Sequence, residues 1–514
     1  MNAETGSTHM YIGIDAGTSG LKAILVDENQ NILADQTVPL TVQSPQTGWS
    51  EQDPEQWWAA LLEALDGLQA ASPEAMADVK AIGLSGQQHG AVLLGAADEV
   101  LRPCILWNDV RSDEECKEFE ELFPQSRAVC GNIAMPGFTA PKVLWVRKHE
   151  PDIFKKIHSV LLPKAWLRLK LCGEKIEDMS DASGTLWLDV GQREWSDEAL
   201  KATGLTRDAM PRLCEGTDIA GQLLPALAKR WGIKHQPIIA GSAGDNAASA
   251  IGLGAVHTGN AFLSLGTSGV LWCTTDCFRP NTDSAIHAMC HALPQSWHQM
   301  GVTLSAASSL SWWAEINHCD VSTLLDELPE QVVRPSRALF LPYLNGERTP
   351  YNDGRVRGAF FGLDRSLSRQ ELTQAVLEGV AHSFRDALDG LKEAGSVIRS
   401  ADVIGGGSRS RLWVSILASV LNLPLHRLAH GEQGGAFGAA RLARLALSSE
   451  DVENVCTPPE RSETISPIPE LVEAYTHAQE RYRFAYPLLA KITTAGHGVP
   501  HHAGPHGHHY GYDH

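Results

Sequence analysis

Two aspartates stand beside glycine-rich turns, where a carboxylate can meet a phosphorylated ligand. Asp15 follows the apolar run Tyr11–Ile14 and precedes the turn Gly17-Thr18-Ser19-Gly20. Asp245 follows Gly241-Ser242-Ala243-Gly244 and precedes the small-residue run Asn246-Ala247-Ala248-Ser249. The turn Gly-Thr-Ser-Gly returns at Gly266-Thr267-Ser268-Gly269, about half a chain later and again after an apolar run, Ala261–Leu265. Such a turn offers backbone N–H groups and two hydroxyls with no bulk to repel an anion. One copy alone is also an ordinary hairpin turn; two copies at matching places make coincidence much less likely. Gly405-Gly406-Gly407-Ser408 is a third glycine-rich stretch, after Val403-Ile404. It lacks the last glycine of a dinucleotide fingerprint, and no Gly-Lys dipeptide is present to make a P-loop.

Two further loops suit a polyol. Gln88 and His89 lie in Ser85-Gly86-Gln87-Gln88-His89-Gly90, and Trp107, Asn108 and Asp109 lie just before Arg111. Together they supply directional donors and acceptors with an apolar wall. Arg111 reads as a brace for Asp109. Lys22 reads as a phosphate contact or, equally, as part of a solvated face. Structural duties compete for both aspartates: Asp245 is placed to be a helix N-cap, and Asp15 to make an Asx turn.

These residues need a scaffold of strands that end in loops. Short apolar runs alternate with amphipathic helices, the pattern of an α/β fold. Tyr11–Ile14 and Ala23–Val26 read as a strand pair around the first turn, and Val79–Leu84, Leu101–Trp107 and Pro237–Ala240 as further strands. Asp53-Pro54-Glu55-Gln56 predicts a capped helix running to about Leu68. In the second half the pattern repeats, with a helix that follows Gly405–Ser408 and runs through Trp413 to about Leu421, and another from Ala436 to Leu447. Polar residues gather at strand exits, where open α/β sheets bind ligands. A boundary near Ala255 gives a leader at 1–9, domains at 10–255 and 256–490, and a His-rich tail at 491–514. That tail reads as a disordered extension or purification tag. Glu347-Arg348-Thr349-Pro350 reads as structural bracing near the cleft.

Bulk properties narrow the partners. A chain of 514 residues exceeds one hydrophobic core. Its 43% hydrophobic and 20% charged residues are those of a globular protein. A formal net charge of -19 disfavours nucleic acid and anionic membranes. The 10 cysteines form no C-x-x-C pair, so neither a disulfide framework nor a zinc site is expected, and a cytoplasmic location is. The 14 tryptophans read mostly as core filling.

On these residues the chain resembles the FGGY carbohydrate kinases of the sugar kinase/Hsp70/actin superfamily. Asp15-Ala16-Gly17-Thr18 is similar to that family's first phosphate motif, Gly266-Thr267-Ser268 to its second, and Gly405–Ser408 to its adenosine motif. Both family signatures are recognisable, as GFTAPKVLWVRKHE from Gly137 and GAFFGLDRSLSRQELTQAVLEG from Gly358. The stretches GQQHG, ILWNDVR, DMSDASGTLWLDV, AGSAGDNAA and LPYLNGERTP resemble the ketopentose-phosphorylating branch. The resemblance implies two ribonuclease-H-like domains flanking a nucleotide cleft, with ATP and Mg2+ as cofactors, and allows a homodimer. It also implies Asp245 as general base and Asp15 serving the metal through water. ATP would be held by Gly17, Thr18, Ser19, Lys22, Gly266, Thr267, Ser268, Gly406, Gly407 and Ser408. The sugar would meet Gln88, His89, Trp107, Asn108 and Asp109. The branch usually reads Met-His where this chain has Gln88-His89, which adds hydrogen-bonding capacity and bears on sugar preference. Alternatives are a ribulose, other ketose or arabinitol kinase, or an actin-like nucleotide switch. Against the switch, the segment after Leu447, the end of the last clear helix, is too short for a chaperone-type peptide-binding domain.

Overall fold

A computed structural model describes residues 8–495, so residues 1–7 and 496–514 of the expected leader and tail lie outside the described residues. Two seven-stranded sheets carry the molecule. In the first, β1 (Met10–Ala16), β2 (Gly20–Val26) and β3 (Ile32–Pro39) form an antiparallel meander. On its other side β1 runs parallel to β4 (Val79–Gly86), which runs parallel to β6 (Ile238–Ala240); β5 (Ile219–Gln222) closes that edge. The second sheet repeats the plan. Its meander is β7 (Ala261–Leu265), β8 (Gly269–Thr275) and β10 (Trp297–Thr303), with β9 (His287–Cys290) outside. Here β7 runs parallel to β11 (Ala401–Ile404) and β11 to β12 (Leu425–Leu428), with β13 (Arg461–Ile465) at the edge. In each sheet the Gly-Thr-Ser-Gly turn joins the first two strands, so the sequence repeat is a repeat of position in the fold.

The helices follow their caps. α1 (Pro54–Ala71) starts where Asp53 accepts the Glu55 N–H, as the sequence predicts, and buries Trp57, Leu61, Leu65 and Leu68. α2 (Pro163–Cys172), α3 (Asp245–Gly252), α4 (Arg369–Glu393), α5 (Arg411–Leu421), α6 (Gly434–Leu447) and α7 (Pro469–Ala495) complete the set used below. α3 and α6 cross between the halves. α6, from the second half, lies on β1 and β4 of the first sheet, while α3, from the first half, shares a core with Phe262, Trp272 and Ile404 of the second. The two helices also pack on each other so closely that a Cβ on Gly438 would lie 1.7 Å from the Ala248 carbonyl oxygen.

Three expectations change. Leu101–Trp107 yields only a two-residue strand, Cys104–Ile105, paired with Glu51–Gln52 outside the main sheets; Pro103 lacks a ladder N–H. Asp245 is not the N-cap of α3: Gly244 is, and Asp245 is the first helical residue. Among the described residues after Leu447 lies α7, which the sequence reading left without a helix and which runs through residue 490 to Ala495. Among the described residues all ten cysteines are free, and no helix is long and apolar enough to cross a membrane.

Candidate functional site

β1 carries Asp15 at its C-terminal end, in register with Ser85 of parallel β4, and the Ser85 hydroxyl donates to Asp15 Oδ1 at 2.9 Å. The first turn follows, closed by a hydrogen bond from Gly17 N–H to the Gly20 carbonyl at 3.0 Å. That amide is therefore spent on the turn. The Thr18 hydroxyl is also engaged, accepting from Trp107 Nε1 at 2.8 Å and donating to Gln87 Oε1 at 3.4 Å. Ser19 remains exposed.

The turn opens into a cavity of about 380 Å3. Asp15, Gly17, Thr18, Ser19 and Lys22 line one side, with Gly20 and Thr37. Gln88, His89, Trp107 and Asp245 line the rest. Both strand-exit loops there hold left-handed backbone at a non-glycine residue, His89 at φ 75° and Ser242 at φ 74°. Such conformations cost about 1–3 kcal/mol each and collect at functional sites. Burial pulls the His89 imidazole down to about 3, so it is neutral at physiological pH. Its Nδ1 lies 2.8 Å from the Gly184 carbonyl, which places the ring proton on that nitrogen. Asp245 Oδ1 accepts the Asn246 N–H at 2.8 Å.

Gln88 is 6% exposed, and its amide is tied on both sides: Nε2 donates to the Ser180 carbonyl at 3.4 Å, and Oε1 accepts from Asn246 Nδ2 at 3.2 Å. Asn108 and Asp109 do not line this cavity. Both Asp109 oxygens serve the protein, accepting from the Ser50 N–H and from Arg111 Nε and Nη2. Arg111 is also shared with Glu51 and lies 3.6 Å above the Trp49 ring. Asp109 is thus a buried bracing carboxylate.

The other glycine residues form a second group at the ends of β7 and β11. A Cβ on Gly405 would lie 2.9 Å from Gly266 N, so the two loops abut; Gly405 also has φ 88°. Thr267 and Gly406 are exposed, and a Cβ on Gly406 would meet open space. Ser268 is buried. Gly407 packs under Leu265 and Trp413, and the Ser408 hydroxyl donates to the Gly405 carbonyl. No residue of this group lines the cavity of the first turn. A larger cavity of about 680 Å3 lies at the far end of the second sheet along Leu253–Phe262 and contains none of these residues.

Sequence reasoning missed Ser85 and Gly435. A Cβ on Gly435 would lie 2.7 Å from Ser85 Oγ and 3.2 Å from Asp15 Oδ1, so the start of α6 abuts the Asp15 carboxylate. The parallel register of β1 and β4 was the signal for Ser85. Glu347-Arg348-Thr349 is buried bracing. Glu347 Oε1 accepts the Leu304 and Arg348 N–H groups and Oε2 the Ser383 hydroxyl, while the Arg348 guanidinium meets the Met135 sulfur of the first half.

Comparisons with known proteins bear on the family and the fold. The N-terminal domain of the FGGY family of carbohydrate kinases matches residues 10–252, and the C-terminal domain of that family matches 261–447. The chain is 48% identical over 477 residues to a xylulose kinase of Escherichia coli, covering 93% of this chain and 96% of that one. A crystal structure of a xyloylose kinase from Brucella ovis is 52% identical with a TM-score of 0.92, covering 94% of this chain and all of that one. A xylulose kinase structure from Rhodospirillum rubrum is 27% identical with a TM-score of 0.86, over 94% of this chain and all of that one.

Proposed function

The chain belongs to the FGGY family of carbohydrate kinases, and on that premise we propose that it is a xylulokinase, transferring the γ-phosphoryl group of ATP to D-xylulose. The observation that carries this reading is a single cavity holding Asp15, Asp245, the first turn and the polar groups of Gln88, His89 and Trp107. Asp245 aims the attacking hydroxyl and accepts its proton late, as a largely dissociative phosphoryl transfer requires. Neutral His89 and the Trp107 face orient the sugar.

Asp15 suits a magnesium nucleotide. It is a lone, half-buried carboxylate with one oxygen held by Ser85, and Mg2+ keeps most of its waters and takes few protein carboxylates. Bound there, the ion would neutralise charge on the transferring phosphates. Lys22 enters none of the ion pairs among the described residues and faces the same space. Gly266, Thr267, Ser268, Gly406, Gly407 and Ser408 take the remainder of ATP. The two glycine turns then meet on the nucleotide when the halves close, which excludes water as a competing acceptor.

Gln88 bears on the sugar. Two of its hydrogen-bonding positions are taken by Asn246 and Ser180, so the amide adds little to the groups facing a substrate, which favours xylulose over a changed preference. The test is coupled ADP release across D-xylulose, L-ribulose, D-ribulose, D-arabinitol and glycerol. Highest kcat/KM on D-xylulose is expected; preference for another member would reassign the substrate, and nucleotide-dependent polymerisation without sugar-dependent turnover would refute the kinase.

A further inference from the structure

Behind Asp245, outside the cavity, lies a fully buried charged cluster. Lys164, near the start of α2, has its Nζ 2.7 Å from Glu177 and 3.5 Å from Asp181, and it binds Asp178 Oδ1 directly. All four side chains are 0–1% exposed. Both Asp181 oxygens and Glu177 Oε2 have no hydrogen-bond partner among the described residues. Burial alone would pull the Lys164 ammonium down, but Asp178, Glu177 and Asp181 outweigh it and hold it up. The three carboxylates converge within 4.8 Å, and the ammonium already supplies a cation there. Buried ion clusters are poor sources of stability compared with apolar packing, so the contacts leading out of this one matter.

They lead to both neighbours of Asp245. Asp178 Oδ2 accepts the N–H and the hydroxyl proton of Ser180. A serine hydroxyl has one proton and two lone pairs; with the proton committed to Asp178, a lone pair accepts the Gly244 N–H at 3.1 Å. The Ser180 carbonyl accepts from Gln88, and Gln88 accepts from Asn246. Gly244 and Asn246 flank Asp245, so one serine holds the peptide before the aspartate and, through Gln88, the side chain after it.

We propose that Lys164, Asp178 and Ser180 are positioning residues for Asp245. The buried ammonium fixes Asp178, Asp178 fixes the Ser180 hydroxyl, and Ser180 fixes the first turn of α3 and hence the aim of the carboxylate. Gln88, whose place in the cavity suggested a sugar contact, works in the same ring. The inference rests on Asp245 acting as the base.

The test uses Ser180→Ala and Gln88→Met in the full-length enzyme, with wild type and Asp245→Asn beside them, because Lys164→Met threatens folding. Ser180→Ala is expected to lower kcat per nucleotide-binding molecule by roughly 10- to 100-fold, the scale of a small misplacement of a reacting group. KM for ATP should stay at the wild-type value, with thermal unfolding shifted little. Gln88→Met should lower kcat less, and the double variant should lose less than the two effects combined, since both act on one element. A merely structural cluster would lower the melting temperature and leave kcat per folded molecule intact. Wild-type kcat in Ser180→Ala beside an inactive Asp245→Asn would overturn the proposal. An active Asp245→Asn would instead overturn the reading on which it rests.

Discussion

Replacing Asp245 with Asn keeps an oxygen for the Asn246 N–H but removes the proton acceptor. For a positioned general base, kcat should fall by about 10²–10⁴, while nucleotide affinity measured by calorimetry is retained. Unchanged turnover would take this residue out of the chemistry. Asp109 shares the residue type and the loop setting but has the opposite duty. Asp109→Asn leaves the Arg111 guanidinium, 1% exposed, with Glu51 as its remaining ion partner. Removing one member of a buried pair costs about 3–5 kcal/mol, read as a lower denaturant midpoint, with kcat of the folded enzyme nearly unchanged. The contrast shows what a sequence reveals at this scale. The brace between Asp109 and Arg111 was legible because the partners are two residues apart. The partners of Gln88, Ser180 and Asn246, lie far along the chain, and nothing local announces them.

At the scale of elements, the two carboxylates are linked through a pair of helices. Asp245 begins α3, the Asp15 carboxylate abuts the start of α6 at Gly435, and the helices touch where Gly438 meets Ala248. Gly438→Ala raises helix propensity by about 1 kcal/mol, yet its methyl would stand 1.7 Å from a backbone oxygen that cannot rotate away. Overpacking of about 1–3 kcal/mol should win. A lower melting temperature and a reduced kcat are expected together, since parting the helices moves both carboxylates; a raised melting temperature would show that propensity dominates. The strands flanking both turns and the helices at Pro54 and Arg411 were legible from alternation, caps and glycine punctuation. α7 was not read, although Leu471, Tyr475, Ala478, Tyr482, Ala485 and Leu489 keep its buried face at helical spacing. Pro487 interrupts that run and removes a helical hydrogen bond, and packing against the second half overrides it. The crossing of α3 and α6 to opposite sheets was illegible for another reason: small residues permit close approach without naming the partner.

For the whole molecule, buried titratable groups of both kinds set the response to pH. Burial holds His89 and His287 down to about 3, His291 and His382 to about 4, and His298 well below the ordinary imidazole range. As pH falls below about 6.5, the unfolded chain takes up protons that the folded protein refuses, and each histidine costs about 1.4 kcal/mol per pH unit. Buried carboxylates act in the opposite direction. Burial pushes Glu347 and Glu378 up to about 7 and Asp386 to about 6, and raises Glu177 and Asp181. Between about pH 5 and 6 Glu347 and Glu378 hold protons that the unfolded chain has released, so each adds stability as pH falls, and Asp386 does so in part. The histidines are the larger set, so these carboxyls offset them only in part. The melting temperature by calorimetry should therefore fall as the pH drops from 6 to 5, but by less than the histidines alone would give. From about pH 6.5 to 7 the unfolded histidines still release protons while Glu347 and Glu378 still favour their protonated forms, so the opposing effects nearly cancel and stability should change little. A loss as steep as the histidines alone would give, with no offset, would mean that Glu347, Glu378 and Asp386 are ionised in the folded protein.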